Sequence, residues 1–424
     1  MKKLGRWLVV SGLLNFLWLP GQSNGTGSLV IMGGNITSAL ERIDKRFIEL
    51  GGGVERIRLA IIPAGSVEPA ASGRAYAVDF TRLGVPAERI RIFPLAVVDD
   101  PSTKDVDESK WSGNGFSQEL ADDMLNYTAV FFVGGDQIRY NRTLKKANGE
   151  DSPLLKSIRG VYAAGGVIGG SSAGAAMMCD PMICEGSSMK ALSAGADYMP
   201  DSCPEPRGVS LANGLGFFNQ GMVDQHFLKR GRVGRLLMAI HVQPKAWLGV
   251  GIDEDTAAVC RGGAIEVLGS SGVVIIDTSL ARAAGKFKWS PAGGMRAQGI
   301  VVHYLEEGDK FDIATRTPVP RPERKPIEKG KEANSDYPLE TNVFGPDAFR
   351  NMLVDGIAEN QKGEATGMSF LLDEKGRGIG SQWTLRKTGQ SGAFYASIND
   401  IDTYTVTFVS LEIEPIALSL EKIR

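Results

Sequence analysis

Residues 167–178 read Val167-Ile168-Gly169-Gly170-Ser171-Ser172-Ala173-Gly174-Ala175-Ala176-Met177-Met178. An apolar β-branched start runs into a Gly/Ser corner, and an Ala- and Met-rich run leads out with helix-forming residues. Gly170 to Gly174 fits the frame Gly-x-Ser-x-Gly with Ser172 at its centre. Centring on Ser171 fails, because position 173 is Ala. A strand-to-helix turn of this kind needs small flanking residues, since its serine sits in a strained backbone with the hydroxyl exposed. The helix expected from Ala173 would add the positive end of its dipole to a developing oxyanion. Gly186-Ser187-Ser188 and Gly269-Ser270-Ser271 lack the frame and read as loops.

Upstream, the same punctuation recurs. Short apolar runs at 28–32 (SLVIM), 59–62 (LAII), 90–93 (IRIF) and 129–133 (AVFFV) are predicted strands, the first, second and fourth stopped by Gly33-Gly34, Pro63 and Gly134-Gly135. Helical spacing at Leu40, Ile43, Phe47 and Leu50, and a helical stretch at 71–87, fall between them. Buried strands alternating with amphipathic helices imply an α/β fold, a parallel sheet flanked by helices. Downstream of Trp247 the runs 248–252, 257–260, 264–268 and 273–276 are split by Gly-rich turns, which predicts an antiparallel extension of that sheet. Residues 316–338 (RTPVPRPERKPIEKGKEANSDYP) are rich in Pro and charge and read as an exposed, partly disordered linker. A helix near 346–359 and alternating strands such as 404–411 (YTVTFVSL) make the remainder a small β-rich C-terminal region.

The chain has 424 residues, room for two or three domains. The division expected is a leader at 1–24, a catalytic domain at 25–285 and a C-terminal extension at 286–424. Lys plus Arg (47) nearly balances Asp plus Glu (49), which gives no electrostatic case for nucleic acid or an anionic membrane as partner. Met1-Lys2-Lys3-Leu4-Gly5-Arg6 followed by the 13-residue apolar run 7–19 (WLVVSGLLNFLWL) reads as a signal peptide, because a bilayer span takes about 20 residues. The alternative is an uncleaved anchor. The expected location is therefore secreted or periplasmic, with no membrane contact after cleavage. Four cysteines suit an exported protein: Cys184 and Cys203 share one loop-like stretch and are the preferred disulfide pair, the alternative being four buried thiols. With three His and no Cys-x-x-Cys, no zinc cluster is expected.

A serine nucleophile needs a base. His226 lies in the polar cluster Val223-Asp224-Gln225-His226-Phe227-Leu228-Lys229-Arg230, His241 at the end of an apolar helix where it would cap the dipole, and His303 in a late strand. Gly251-Ile252-Asp253-Glu254-Asp255-Thr256-Ala257 places three acids just past an apolar strand, any of which could orient an imidazole or merely face solvent.

Together, Gly-x-Ser-Ala-Gly-Ala at 170–175, Gly134-Gly135-Asp136-Gln137, the stretch 224–236 (DQHFLKRGRVGRL) and Gly251 to Ala257 resemble the cyanophycinases, over about residues 28–280. These are serine peptidases of the dipeptidase E-like group with a class I glutamine amidotransferase-like fold. The resemblance implies Ser172 as nucleophile, His226 as base and Glu254 as the acid orienting it, in a chain order unlike that of the α/β-hydrolases. It further implies a substrate pocket of Gln137, Asp224, Gln225, Arg230, Arg232 and Arg235. A β-aspartyl-arginine unit carries a carboxylate, which arginines can grip bidentately, and a guanidinium, which Asp224 could hold. The backbone N–H groups of Gly135 and Ala173 are the oxyanion-hole candidates. No metal or cofactor is required. The implied reaction is exopeptidase release of β-Asp-Arg from cyanophycin through an acyl-enzyme. A peptidase for short aspartyl or isoaspartyl peptides, and an inactive polymer- or surface-binding protein, are the rivals. The turn Gly33-Gly34-Asn35-Ile36 departs from the Gly-Gly-Ala-Glu that the resemblance calls for, which leaves Ile36 in place of the acid. For the extension, granule binding, homodimer contacts and simple packing remain open.

Overall fold

The computed structural model describes residues 27–398 and 400–419, so the expected leader at 1–24 lies outside the described residues. Strands β1 (Ser28–Met32), β2 (Leu59–Ile62), β3 (Ile90–Ile92), β4 (Ala129–Phe132) and β5 (Val167–Ser171) form a parallel sheet in the order β1-β5-β4-β2-β3. All but the edge strand β3 are buried along their whole length, as continuous apolar runs require. Alternate side chains feed opposite cores. Val30 and Phe131 meet Phe47 and Phe80 from the helices Leu40–Leu50 and Pro69–Arg82. Leu29 and Phe132 meet Leu154 and Ile158 of the helix Pro153–Ala163 on the other face. A Cβ on Gly169 would come within 2.6 Å of the Phe47 ring, so this strand is bare where the helix presses closest.

A small sheet follows from β6 (Met182–Gly186), β7 (Ala196–Tyr198) and β8 (Val209–Ala212), pinned by a Cys184–Cys203 disulfide. Cys179 and Cys260 are free and buried. Next come β9 (Met222–Asp224), β10 (Leu248–Ile252), β11 (Thr256–Arg261), β12 (Ala264–Gly269), β13 (Gly272–Asp277), β14 (Phe287–Ser290), β15 (Gly294–Glu306), β16 (Lys310–Asp312), β17 (Thr317–Val319) and β18 (Lys325–Pro326). The chain closes with β19 (Glu364–Leu372), β20 (Arg377–Arg386), β21 (Gly392–Ile398) and β22 (Ile401–Ser419).

Three expectations need correction. The antiparallel extension of the parallel sheet consists of β11, β12, β16 and β17, added beyond β1. β10 and β13 leave for a second sheet, ordered β18-β21-β22-β15-β13-β10-β9, in which β9 and β10 are parallel. That sheet crosses the expected boundary at residue 285: β13 pairs with β15 from Gly272↔Glu306 to Asp277↔Val301. Leu236 and Ile240 share one core with Trp383, Val409 and Leu411, so the extension is welded to the catalytic half rather than tethered to it. Residues 316–338 are not a free linker either. β17 pairs with β16 and β18 with β21, and the wholly buried Arg324 is held 2.6 Å from the equally buried Asp309. Most of the stretch is exposed, as expected, but Arg324 within it forms an internal ion pair.

The last predicted helix is the helix Ala348–Leu353 continued by a π turn, Val354–Ala358. Among the described residues no helix is long and apolar enough to cross a membrane.

Candidate active site

Ser172 is the single residue between β5 and the helix Ala173–Ala176, with φ 54° and ψ −108°. The glycines of its frame have separate causes. A Cβ on Gly170 would sit 2.4 Å from the Gly174 carbonyl, and one on Gly174 would sit 2.4 Å from the Phe132 carbonyl. Larger residues would push the corner off the sheet. The Ser172 N–H donates to the Met32 carbonyl and ties the corner to β1. The outgoing helix is one turn long, so the expected dipole contribution shrinks to its oriented N–H groups.

His226 follows β9 at φ 46°, and its N–H donates to the Gly33 carbonyl. Its Nε2 lies 2.9 Å from Ser172 Oγ, and its Nδ1 lies 2.6 Å from Glu254 Oε1. The carboxylate accepts from Nδ1–H, which leaves Nε2 to accept from the serine hydroxyl. Gly34 (φ 99°) forms the floor: a Cβ there would come within 2.4 Å of His226 Cε1 and 3.1 Å of Ser172 Cβ. Burial, reinforced by the charges of Arg230 and Arg232, lowers the His226 pKa despite the hydrogen bond to Glu254. The imidazole is therefore neutral at pH 7, as a proton acceptor must be. Burial opposes ionisation of Glu254, but hydrogen bonds from Asn35 and His226, helped by the Arg230 charge, outweigh it and lower its pKa.

Each acid of the Asp253-Glu254-Asp255 run has its own task. Asp253 is fully buried and accepts from the Leu228 and Lys229 N–H groups and the Ser271 hydroxyl, bracing the loop after His226. Glu254 faces the imidazole. Asp255 accepts from the N–H groups of Thr37 and Ala39 at the start of the first helix. Asn35 Nδ2 donates to Glu254 Oε2 at 2.8 Å. Sequence reasoning gave Asn35 no role, and nothing in the Gly33-Gly34-Asn35-Ile36 turn itself pointed to one.

The expected substrate pocket divides. Arg230 is half-exposed, with its Nε 3.9 Å from Glu254 Oε1. Arg232 is mostly buried, and its Nη1 donates to the Gln225 carbonyl and to Gln225 Oε1. Burial and then Arg235 drop its pKa to about 9, which keeps it charged at neutral pH. Asp224 and Arg235 are a correction. Arg235 Nε and Nη2 bind Asp224 Oδ2 and Oδ1 at 2.8 and 2.6 Å, with the two side chains 2% and 1% exposed. A carboxylate so paired and buried has no edge for a substrate guanidinium, and an arginine so paired has none for a carboxylate. Gln137 is also committed internally, donating to the Ile183 and Cys184 carbonyls of β6.

The Gly134-Gly135 turn runs beside the serine, a Cβ on Gly134 falling 3.5 Å from Ser172 Cβ. Gly135 (φ 132°) passes so close to Gly65 that a Cβ would sit 2.0 Å from its carbonyl. The N–H groups of Gly135 and Ala173 find no partner among the described residues. His241 does not cap its helix: Arg282 donates to the Ile240 and Gln243 carbonyls there, and burial with Arg282 nearby keeps His241 neutral. His303 is buried in β15 and accepts from the Phe408 N–H. Among the described residues no His/Cys/Asp/Glu group is placed to hold a metal ion.

The profile described as peptidase family S51 matches residues 112–268. A cyanophycinase of Geminocystis herdmanii is 33% identical over 293 residues, which is 69% of this chain and 95% of the relative. Cyanophycinases of Synechococcus elongatus (31%) and a Nostoc species (32%) align over 63% of the chain, covering 73% and 79% of their own lengths. A solved peptidase from an acI-B1 actinobacterium covers 69% of the chain and 98% of its own, at 19% identity and a TM-score of 0.41, too slight a likeness to carry weight.

Proposed function

Since the chain belongs to peptidase family S51 and is a serine-type peptidase, we propose that it degrades cyanophycin, releasing β-Asp-Arg dipeptides from a chain end through an acyl-enzyme. The observation that carries this reading is the unbroken line Ser172 Oγ, His226, Glu254 at 2.9 and 2.6 Å. Ser172 attacks the scissile carbonyl while His226 Nε2 takes its proton. Glu254 holds the ring and balances the imidazolium that forms. The unpartnered N–H groups of Gly135 and Ala173 receive the oxyanion. His226 then gives the proton to the leaving amine, and water repeats the sequence to free the acyl group. Arg230 and Arg232 grip the carboxylate of the arginyl branch. Because Asp224 is occupied, the guanidinium of that branch must find its partner elsewhere.

Export belongs to the same proposal. Its support is the basic start with a 13-residue apolar run, and a disulfide, which persists outside the reducing cytosol.

The test is dipeptide release from purified cyanophycin by the unaltered chain and by Ser172→Ala. The variant should lose at least about a thousandfold in rate. Retained release would overturn the serine mechanism, and failure of the unaltered chain on polymer with brisk cleavage of free aspartyl dipeptides would overturn the substrate.

A further inference from the structure

We propose that the cavity between the catalytic half and the C-terminal extension is a second substrate subsite, which takes the arginyl branch of a neighbouring unit of the polymer. This rests on the cyanophycin reading above. The cavity measures about 560 Å³, within the ~300–1,000 Å³ usual for small-ligand sites. Glu254, Asp255 and Lys229 line it from one side, and Asp347, Arg350 and Asn351 from the extension.

Two groups of the extension are fixed yet incompletely used. Arg350 Nε donates to the Tyr304 hydroxyl at 3.0 Å and Nη2 to Glu306 Oε1 at 3.2 Å. Its Nη1 makes no hydrogen bond to any described residue. Asp347 Oδ2 accepts from Lys229 Nζ, and its Oδ1 likewise has no described partner. Asp347 precedes the helix Ala348–Leu353 and Arg350 sits in its first turn, and both line the cavity. The extension thus lines the cavity with one anchored cation and one anchored anion. That pair suits a ligand carrying both a carboxylate and a guanidinium, and each arginyl branch of cyanophycin does. A polyanion or polycation would meet an opposing charge.

The cavity adjoins the site through Glu254, which lines it and is hydrogen-bonded to His226. A peptide advances about 3.5 Å per residue, so a unit beside the scissile bond carries its arginyl branch several ångströms from Ser172. The cyanophycinases described above align over 63–69% of the chain, and this site depends on a segment outside the region of recognisable motifs.

The experiment measures kcat/KM on synthetic substrates of two and three β-Asp-Arg units. The third unit should raise kcat/KM about tenfold in the unaltered chain, one charge-assisted contact's worth. Asn351→Trp, which fills the cavity, and Asp347→Asn, which withdraws the anion, should each cut that gain at least about threefold, and a cut in either supports the subsite. No gain from the third unit in the unaltered chain overturns it, as does a gain undiminished in both variants. If the unaltered chain cleaves neither substrate, the cyanophycin reading itself has failed.

Discussion

Replacing Asp224 by Ala separates two uses of a carboxylate that look alike in sequence. In the structure Asp224 is 1% exposed and takes both hydrogen bonds of a nearly parallel pair from Arg235. Deleting it strands a buried guanidinium, a change that costs about 3–5 kcal/mol when one member of such a pair is lost. The upper part of that range applies, because Arg232 Nη1 lies 3.8 Å from Asp224 Oδ1 and would then face Arg235 with no anion between them. Urea denaturation at pH 7 should show the loss as a lower midpoint with an unchanged slope. Asp224→Asn combined with Arg235→Met should recover most of it, since an apolar substitute leaves no charge to desolvate. Steady-state kinetics on cyanophycin complete the comparison. If Asp224→Ala costs less than about 1 kcal/mol while KM rises tenfold or more, the carboxylate is serving substrate and the assignment to an internal ion pair is wrong.

Asn35→Ala removes one hydrogen bond to an ionised acceptor at an exposed position, so kcat/KM should fall about fivefold, roughly 1 kcal/mol. Because Asn35 helps hold the Glu254 pKa down, the acid limb of the pH profile should move to higher pH, and an unmoved limb would remove Asn35 from the site. Asp44 is a liability in the first helix: it is 1% exposed, neither carboxylate oxygen has a partner, and burial, with Asp79 adding to it, raises its pKa to about 7. A raised folded-state pKa means its favourable contribution is complete below the unfolded value of 3.8 and lost as pH climbs to about 7. Asp44→Asn should therefore gain about 4 kcal/mol on the unaltered chain between pH 4 and pH 8, and a pH-independent difference in unfolding free energy would refute this.

The parallel sheet was legible because its strands are short apolar runs stopped by Gly or Pro, and a strand buried on both faces can hardly be written otherwise. Ser172 was legible because two glycines are needed where backbones nearly touch. Arg235 was misread because 224–236 shows a dense run of arginines and no sign of which point inward. Its position among Val233, Leu236 and Leu237, on the buried side of the helix Val233–Val242, was the available clue. Arg324 was hidden in the same way, since its partner Asp309 precedes it by 15 residues and a Pro-rich composition suggested water. Asn35 could not be read at all: its meaning depends on a carboxylate 219 positions later.

The two halves of the protein share the second sheet, and this has a consequence for how the molecule comes into being. A chain made from its N-terminus delivers the nucleophile's corner early. The strand that leads to His226 lies at one edge of the second sheet, and the outer part of that sheet is finished only by β22, which binds β15, β20 and β21 at once. The loop bearing the imidazole also leans on Asp347, whose N–H donates to the Leu228 carbonyl. The placing of the His226 imidazole thus draws on strands and contacts supplied from late in the chain.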